Sequence, residues 1–156
     1  MIAESNAPCG IDELVPLIRE CVSCGKEVKM RVTGVSMTPT LINRRDCVVL
    51  AKADKIKKYD IVLHRRESGQ YILHRVIAKK GDVLTIAGDF EIEKEYPVYT
   101  SQVIARAVAF ERKGRLCSCK NPLYKLYSAI WTAIFPYRLR AFVFMRKVRR
   151  VLSGKN

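Results

Sequence analysis

The spacing of apolar positions changes its period along the chain. Ile11, Leu14, Val15, Ile18 and Val22 recur at helical spacing, with Asp12 and Glu13 where acids suit a helix N-terminus and Gly25 beyond as a stop. This predicts an amphipathic helix of about three turns, with Pro16 tolerated in the first turn. From Glu27 the period becomes two: Val28, Met30 and Val32 alternate with Glu27, Lys29 and Arg31, the mark of a half-buried strand. Further strands are predicted over 47–51, 61–63, 71–77, 83–87 and 103–110, with turns at Gly81-Asp82 and Gly88-Asp89. After Cys117 the period is helical again. Leu123, Leu126, Tyr127, Ile130 and Ile134 make an apolar stripe, with Lys125, Ser128 and Thr132 opposite, and Pro136 ends that helix. Beyond it Ala141, Phe144, Met145, Val148 and Leu152 fall on one side of a wheel, with Arg138, Arg146, Lys147, Arg149 and Arg150 largely on the other.

These periods divide the chain into an N-terminal helical segment (1–26), a mainly β domain (27–114) and a basic amphipathic helical tail (115–156). Short strands with turn signals and no long helix between them predict a mostly antiparallel sheet or a barrel-like core. Charge sharpens the division. Lys and Arg total 29 against 15 Asp and Glu, a net +14, and from Cys117 onward there are nine basic residues and no acid. An excess placed in an amphipathic tail points to an anionic membrane surface or a partner protein, or to the tail packing on its own core, more than to nucleic acid. Cys21-Val-Ser-Cys24 and Cys117-Ser-Cys119 have the spacing of half-sites for metal or redox chemistry, but reduced thiols are the expectation; His64 and His74 do not supply the spacing of a zinc finger. No signal peptide is recognised at the N-terminus, and the charge-free stretch 126–137 is well short of the ~20 residues a spanning helix needs. The expected location is cytoplasmic or peripheral at a membrane.

Candidate chemistry concentrates in Gly34-Val35-Ser36-Met37-Thr38-Pro39-Thr40-Leu41, followed by Asn43-Arg44-Arg45-Asp46. A serine hydroxyl is a poor nucleophile unless a base removes its proton. His74 is the candidate base; strand alternation places it with Ile72 and Val76 on one face, opposite Tyr71, Leu73 and Ile77.

The stretch Gly34-x-Ser36-Met37-x-Pro39-Thr40-Leu41 resembles the nucleophile box of signal peptidase I, in a superfamily that includes the self-cleaving LexA-type repressors. Tyr59-Asp60-Ile61-Val62 resembles the family's Gly-Asp-x-Val segment, with Tyr59 in place of glycine. His74-Arg75-Val76-Ile77 resembles the general-base box, and Gly88-Asp89 the later Gly-Asp box. The resemblance runs from about Val28 to Arg112. It implies a signal-peptidase/LexA-like, β-barrel-like fold and a serine endopeptidase needing no cofactor or metal. Histidine at the base position is similar to the endoplasmic-reticulum, archaeal and some spore-former types. The implied chemistry is attack by Ser36 on a peptide carbonyl, proton uptake by His74, and hydrolysis of an acyl-enzyme. An acid should orient His74; Asp89 is preferred, with Glu95 in reserve among Glu91, Glu93 and Glu95. The Ser36 N–H would serve the oxyanion, and Met37 and Pro39 would shape the pocket. The implied substrate is a peptide or protein precursor with small residues before the scissile bond.

Membrane signal peptidases carry a spanning helix before the nucleophile box. Here 11–24 is interrupted by Asp12, Glu13, Arg19 and Glu20 and is not expected to span. The rival reading is a LexA-type regulatory or non-catalytic binding protein. A DNA-binding regulator would need roughly 60 or more residues of helix-turn-helix before the domain. About 26 precede the first strand.

Overall fold

The computed structural model describes residues 3–4 and 10–138. In chain order its elements are β1 (Ala3–Glu4), α1 (Ile11–Ser23), β2 (Val28–Arg31), β3 (Cys47–Ala51), β4 (Ile61–Arg65), β5 (Tyr71–Lys80), β6 (Val83–Ala87), β7 (Glu95–Tyr99), a 3₁₀ turn (Thr100–Gln102), β8 (Val103–Arg112), β9 (Arg115–Ser118) and α2 (Pro122–Ala133). The strands form a single sheet in the order β1-β2-β3-β8-β4-β5-β6-β7, with β9 also paired to β8. Every ladder is antiparallel except that of β1 on β2. The sheet is open: among the described residues no ladder joins β7 back to β1 or β2.

The hydrophobic pattern explains how the sheet is covered. Val15, Ile18 and Val22 of α1 are buried against Val28, Met30, Val48, Leu50, Ile61, Leu63 and Phe110. Gly25 ends the helix in the left-handed region (φ 73°), as its position predicts. Pro16 lies in the second turn rather than the first, since the helix already begins at Ile11. It is exposed, so its missing N–H leaves the Asp12 carbonyl on the solvent side. A second, smaller core of Ile56, Val62, Val76, Leu84, Ile86 and Val98 fills the β4–β7 end. Adjacent residues of β4 and β5 therefore serve different cores, because each face of these strands is covered.

Three strands were not expected from the pattern. β7 carries Pro97 and buries only Val98; it is an edge strand, where a proline is tolerated. β9, placed by its sequence at the start of the tail, turns back on β8 at Lys113-Gly114, both of positive φ. β1 is only two residues long. Helix α2 begins with Asn121, whose side chain accepts from Leu123 N at 2.8 Å, and Pro122 at its first position. It ends at Ala133, and helical backbone resumes over 135–138 with Pro136 in the new first turn. The expected second tail helix falls mostly on 139–156, outside the described residues. No helix among the described residues is long and apolar enough to cross a membrane.

Candidate active site

Ser36 lies in the loop between β2 and β3, which is tied at several points. Val32 N donates to Asp46 O (2.9 Å) and Arg44 N to Val32 O (2.8 Å). Gly34 N donates to the Asn43 side-chain oxygen (3.2 Å). The buried Asp46 carboxylate accepts from Ile42 N (2.9 Å) and from Arg45 (2.7 Å). Burial alone would raise the Asp46 carboxyl, but these bonds and the nearby Arg112 hold it below the usual carboxylate range. Gly34 takes φ 94°, a conformation that side chains strain, two residues before the serine. Met37 and Leu41 are buried in the larger core, so the half-buried Ser36 sits on an anchored turn.

The segment after β6 packs directly on that turn. Phe90 N donates to Ser36 O at 2.7 Å. A Cβ on Gly88 would stand 2.7 Å from the same carbonyl, so only glycine allows this approach.

His74 is fully buried on β5. Its Nδ1 lies 2.8 Å from Glu95 Oε1. Glu95 is held in turn by a two-point Arg66 contact, Nε to Oε2 at 2.8 Å and Nη2 to Oε1 at 2.5 Å. Burial alone would raise the Glu95 carboxyl; Arg66 and the two histidines bring it below its ordinary value. Burial lowers His74 below the ordinary histidine value, and Glu91 and Glu95 offset this only in part. A neutral ring beside an ionised carboxylate donates from Nδ1, which leaves the lone pair on Nε2. Nε2 has no hydrogen-bond partner; the nearest acid, Glu91, is 3.5 Å away. Ser36 and His74 line one cavity of about 200 Å³ with Gly34 and Glu91 and apolar walls of Met30, Val32, Met37 and Leu73. The hydroxyl is not bonded to Nε2; catalytic contacts often tighten only when substrate binds.

The other expected residues are distributed differently. Asp89 does not contact His74. Its carboxylate receives Arg75 Nε at 2.8 Å and Nη2 at 2.7 Å, and the Thr40 hydroxyl as well. The reason is strand alternation: Arg75 faces away from His74, and Asp89 lies on the Arg75 side. Glu93 is exposed, while Glu91 reaches the cavity. Pro39 is exposed and its carbonyl accepts from Arg112 (3.1 Å); Met37 lines the cavity and Pro39 does not. Tyr59, standing where the resembled pattern has glycine, takes φ 80°, and its carbonyl accepts from Arg75 Nη1 at 3.0 Å. The sequence reading overlooked Arg66 and His64, which meet Glu95 only through the register of β4, β5 and β7.

The family model described as signal peptidase, peptidase S26, matches residues 22–108, more than half of the chain. The chain belongs to the signal peptidase S26 family. No curated protein matches it. Membership makes it a signal peptidase-type serine peptidase at the level of the family, whose substrates are peptide or protein precursors.

In this S26 protein α2 closes the side of the sheet near Arg75, and of the two arrangements left open for its apolar stripe, most of the stripe faces away from the core. Ser128, opposite the apolar stripe, is buried and accepts from Arg75 Nη1 at 2.9 Å. Tyr127 meets Thr40 at 2.9 Å, and Tyr124 packs on Phe110 at 5.0 Å between ring centres. Leu123, Leu126, Ile130 and Tyr137, 55–76% exposed, form a stripe facing away from the core. The buried guanidinium of Arg75 explains which face packs inward, since it needs hydroxyl and carboxylate acceptors that an apolar face cannot supply. Arg138 continues the clamp, donating to Asp89 O at 2.8 Å and lying 4.1 Å from the Trp131 ring centre.

Proposed function

We propose that the protein is a serine endopeptidase that removes a leader or signal-type peptide from a precursor, with Ser36 as nucleophile, His74 as general base and Glu95 as the acid that orients the base. The observation that carries this reading is the division of labour on one imidazole. Nδ1 is taken by Glu95, and Nε2 is left without a partner in a residue that shares a cavity with Ser36. Asp89, first choice from the sequence, is committed to Arg75 and Thr40. Substrate binding brings the Ser36 hydroxyl within ~3 Å of Nε2. Oγ bonds to the carbonyl carbon as its proton passes to Nε2. The backbone N–H of Ser36 stabilises the oxyanion, and the proton goes on to the leaving amine as the C–N bond breaks. Water then attacks the ester, giving its proton to Nε2, and Ser36 is released. The apolar walls of the small cavity suit an uncharged side chain next to the scissile bond.

The exposed stripe of α2, with Lys120 and Lys125 beside it and the acid-free sequence that follows, supports docking of the tail on an anionic membrane surface. Incubating the full chain with a precursor-peptide library and anionic vesicles, read by mass spectrometry, tests both parts. Defined cleavages that vanish in Ser36→Ala support the peptidase; the same cleavages in Ser36→Ala, or none in the wild type, overturn it in favour of a regulatory or binding role. Vesicle co-sedimentation that weakens with salt and in Leu126→Glu/Ile130→Glu supports docking, and equal sedimentation of that variant rejects it.

A further inference from the structure

The proposed mechanism leaves one buried histidine unused. His64, on β4, is 0% exposed, and neither ring nitrogen has a hydrogen-bond partner. Burying a polar ring with neither nitrogen paired is unfavourable unless something else occupies it. Its surroundings point to such an occupant. Strand register places His64 on the His74 face of the sheet: Val62, two residues before it, pairs with His74, while Ile86 pairs with Val76 on one side and Glu95 on the other. His64 Nε2 stands 3.9 Å from Glu95 Oε2, and His74 Nδ1 stands 2.8 Å from Glu95 Oε1. One ligand atom from each of His64, His74 and Glu95 lies within 4.8 Å of the other two.

We propose that His64, His74 and Glu95 form a reversible binding site for a zinc-type divalent cation, and that its occupation switches the peptidase off. Two imidazoles and one carboxylate are a donor set that suits zinc, with the fourth position left to water. Bonds of about 2.0–2.2 Å put tetrahedral ligands a little over 3 Å apart, so the site forms with shifts of about an ångström. His64 has no hydrogen-bond partner on either ring nitrogen, so a neutral ring has a lone pair free to bind a cation. Arg66 holds both Glu95 oxygens and must yield one of them, which makes the site reversible rather than structural. Glu91, 3.5 Å from His74 Nε2, adds a second negative charge nearby.

The switch follows from proton placement and rests on the reading of His74 as the base. A cation bonded to Nδ1 displaces the proton that Nδ1 shared with Glu95. In a neutral imidazole that proton resides on Nε2 instead, so the ring remains neutral with no net proton released. Nε2 is then a donor and cannot accept the Ser36 proton. The ion thus selects the inactive tautomer without touching the serine.

The two histidines are the only ones in the chain, so imidazole NMR of full-length, EDTA-treated protein reports on this site alone. Titration with zinc chloride is expected to shift both ring spin systems together, saturating at one equivalent and reversing with EDTA. Zinc that binds while both rings stay unmoved, as at the cysteines, overturns the site. So does a His74 response in His64→Gln that keeps wild-type affinity; at least a tenfold weakening is expected. These readouts need no catalysis, so they stand even if the peptidase reading fails. Where cleavage is measurable, zinc is expected to reduce it at least tenfold at saturation, with recovery in EDTA. A protein whose imidazoles bind zinc while cleavage continues overturns the switch.

Discussion

Two charged clusters lie back to back across β5, built on consecutive residues and chemically opposite. On one face Arg75 is almost wholly satisfied: Asp89 twice, Tyr59 O, Thr40 and Ser128 all accept from it. Burial alone would lower its guanidinium pKa, but the Asp89 contact raises it above the ordinary arginine value, so the charge is fixed. On the other face His74 has one nitrogen held by Glu95 and one bare, and its pKa is lowered rather than raised. A satisfied buried charge locks elements together; here it joins the Gly88-Asp89 segment, the Thr40 turn and α2. A buried ring with an idle nitrogen has room for one more proton, which the proposed mechanism draws from Ser36. Satisfaction of hydrogen bonds, more than burial or charge, separates the framework from the chemistry.

Substitutions can break this contrast. The largest effect is expected at the idle nitrogen: His74→Gln should lower kcat/KM by at least about 10³-fold, roughly 4 kcal/mol in the barrier, while circular dichroism stays native. A smaller loss would remove His74 from the chemistry. Next, Arg75→Met should leave Asp89 buried and unpaired and lower unfolding stability by about 3–5 kcal/mol in urea titration. A stable Arg75→Met protein would mean the cluster is not the lock described. Third, Glu95→Gln should reduce kcat about 10²-fold with KM little changed, whereas Asp89→Asn, assayed well below its lowered midpoint, should lose less than tenfold. The reverse ranking would return Asp89 to the catalytic role.

The smallest effect is on pH. The acidic limb of kcat/KM, measured with EDTA present, should lie below the ordinary histidine value of 6.5, since burial disfavours the protonated ring. Glu91 favours that protonated ring, so Glu91→Gln should move the limb further down. An upward move would contradict the sign.

Much of the framework was legible because it rests on local periodicity. The strands over 47–51 and 83–87 have the bounds that their apolar runs predict, and α1 buries the expected stripe. β7 was not legible, since Glu95-Tyr96-Pro97-Val98-Tyr99 has one buried apolar residue and a proline; it becomes a strand because β6 offers it an edge. The apolar stripe of α2 was legible, but not the direction in which it points, which a periodic pattern does not mark. The site divided in the same way. Ser36 and His74 could be singled out from short segments, since each sits in a distinctive local run. Their neighbours could be read only in part: Glu95, 21 residues from His74, stood in reserve behind Asp89, and Arg66, 29 residues from Glu95, gave no local signal.

The sequence by itself determined α1, α2 and the six central strands, the alternation that sends His74 and Arg75 to opposite faces, and a glycine where the turn before Ser36 needs a positive φ. These are properties of a few consecutive residues, set by backbone sterics and side-chain period. Tertiary structure alone decided which acid meets which base. Asp89 and Glu95 are both carboxylates a short loop apart, and nothing local distinguishes them. The register of β6 and β7 carries Glu95 to the His74 face and leaves Asp89 with Arg75. Hydrogen-bond pairing between distant strands, with burial that demands a partner for each charge, makes that choice.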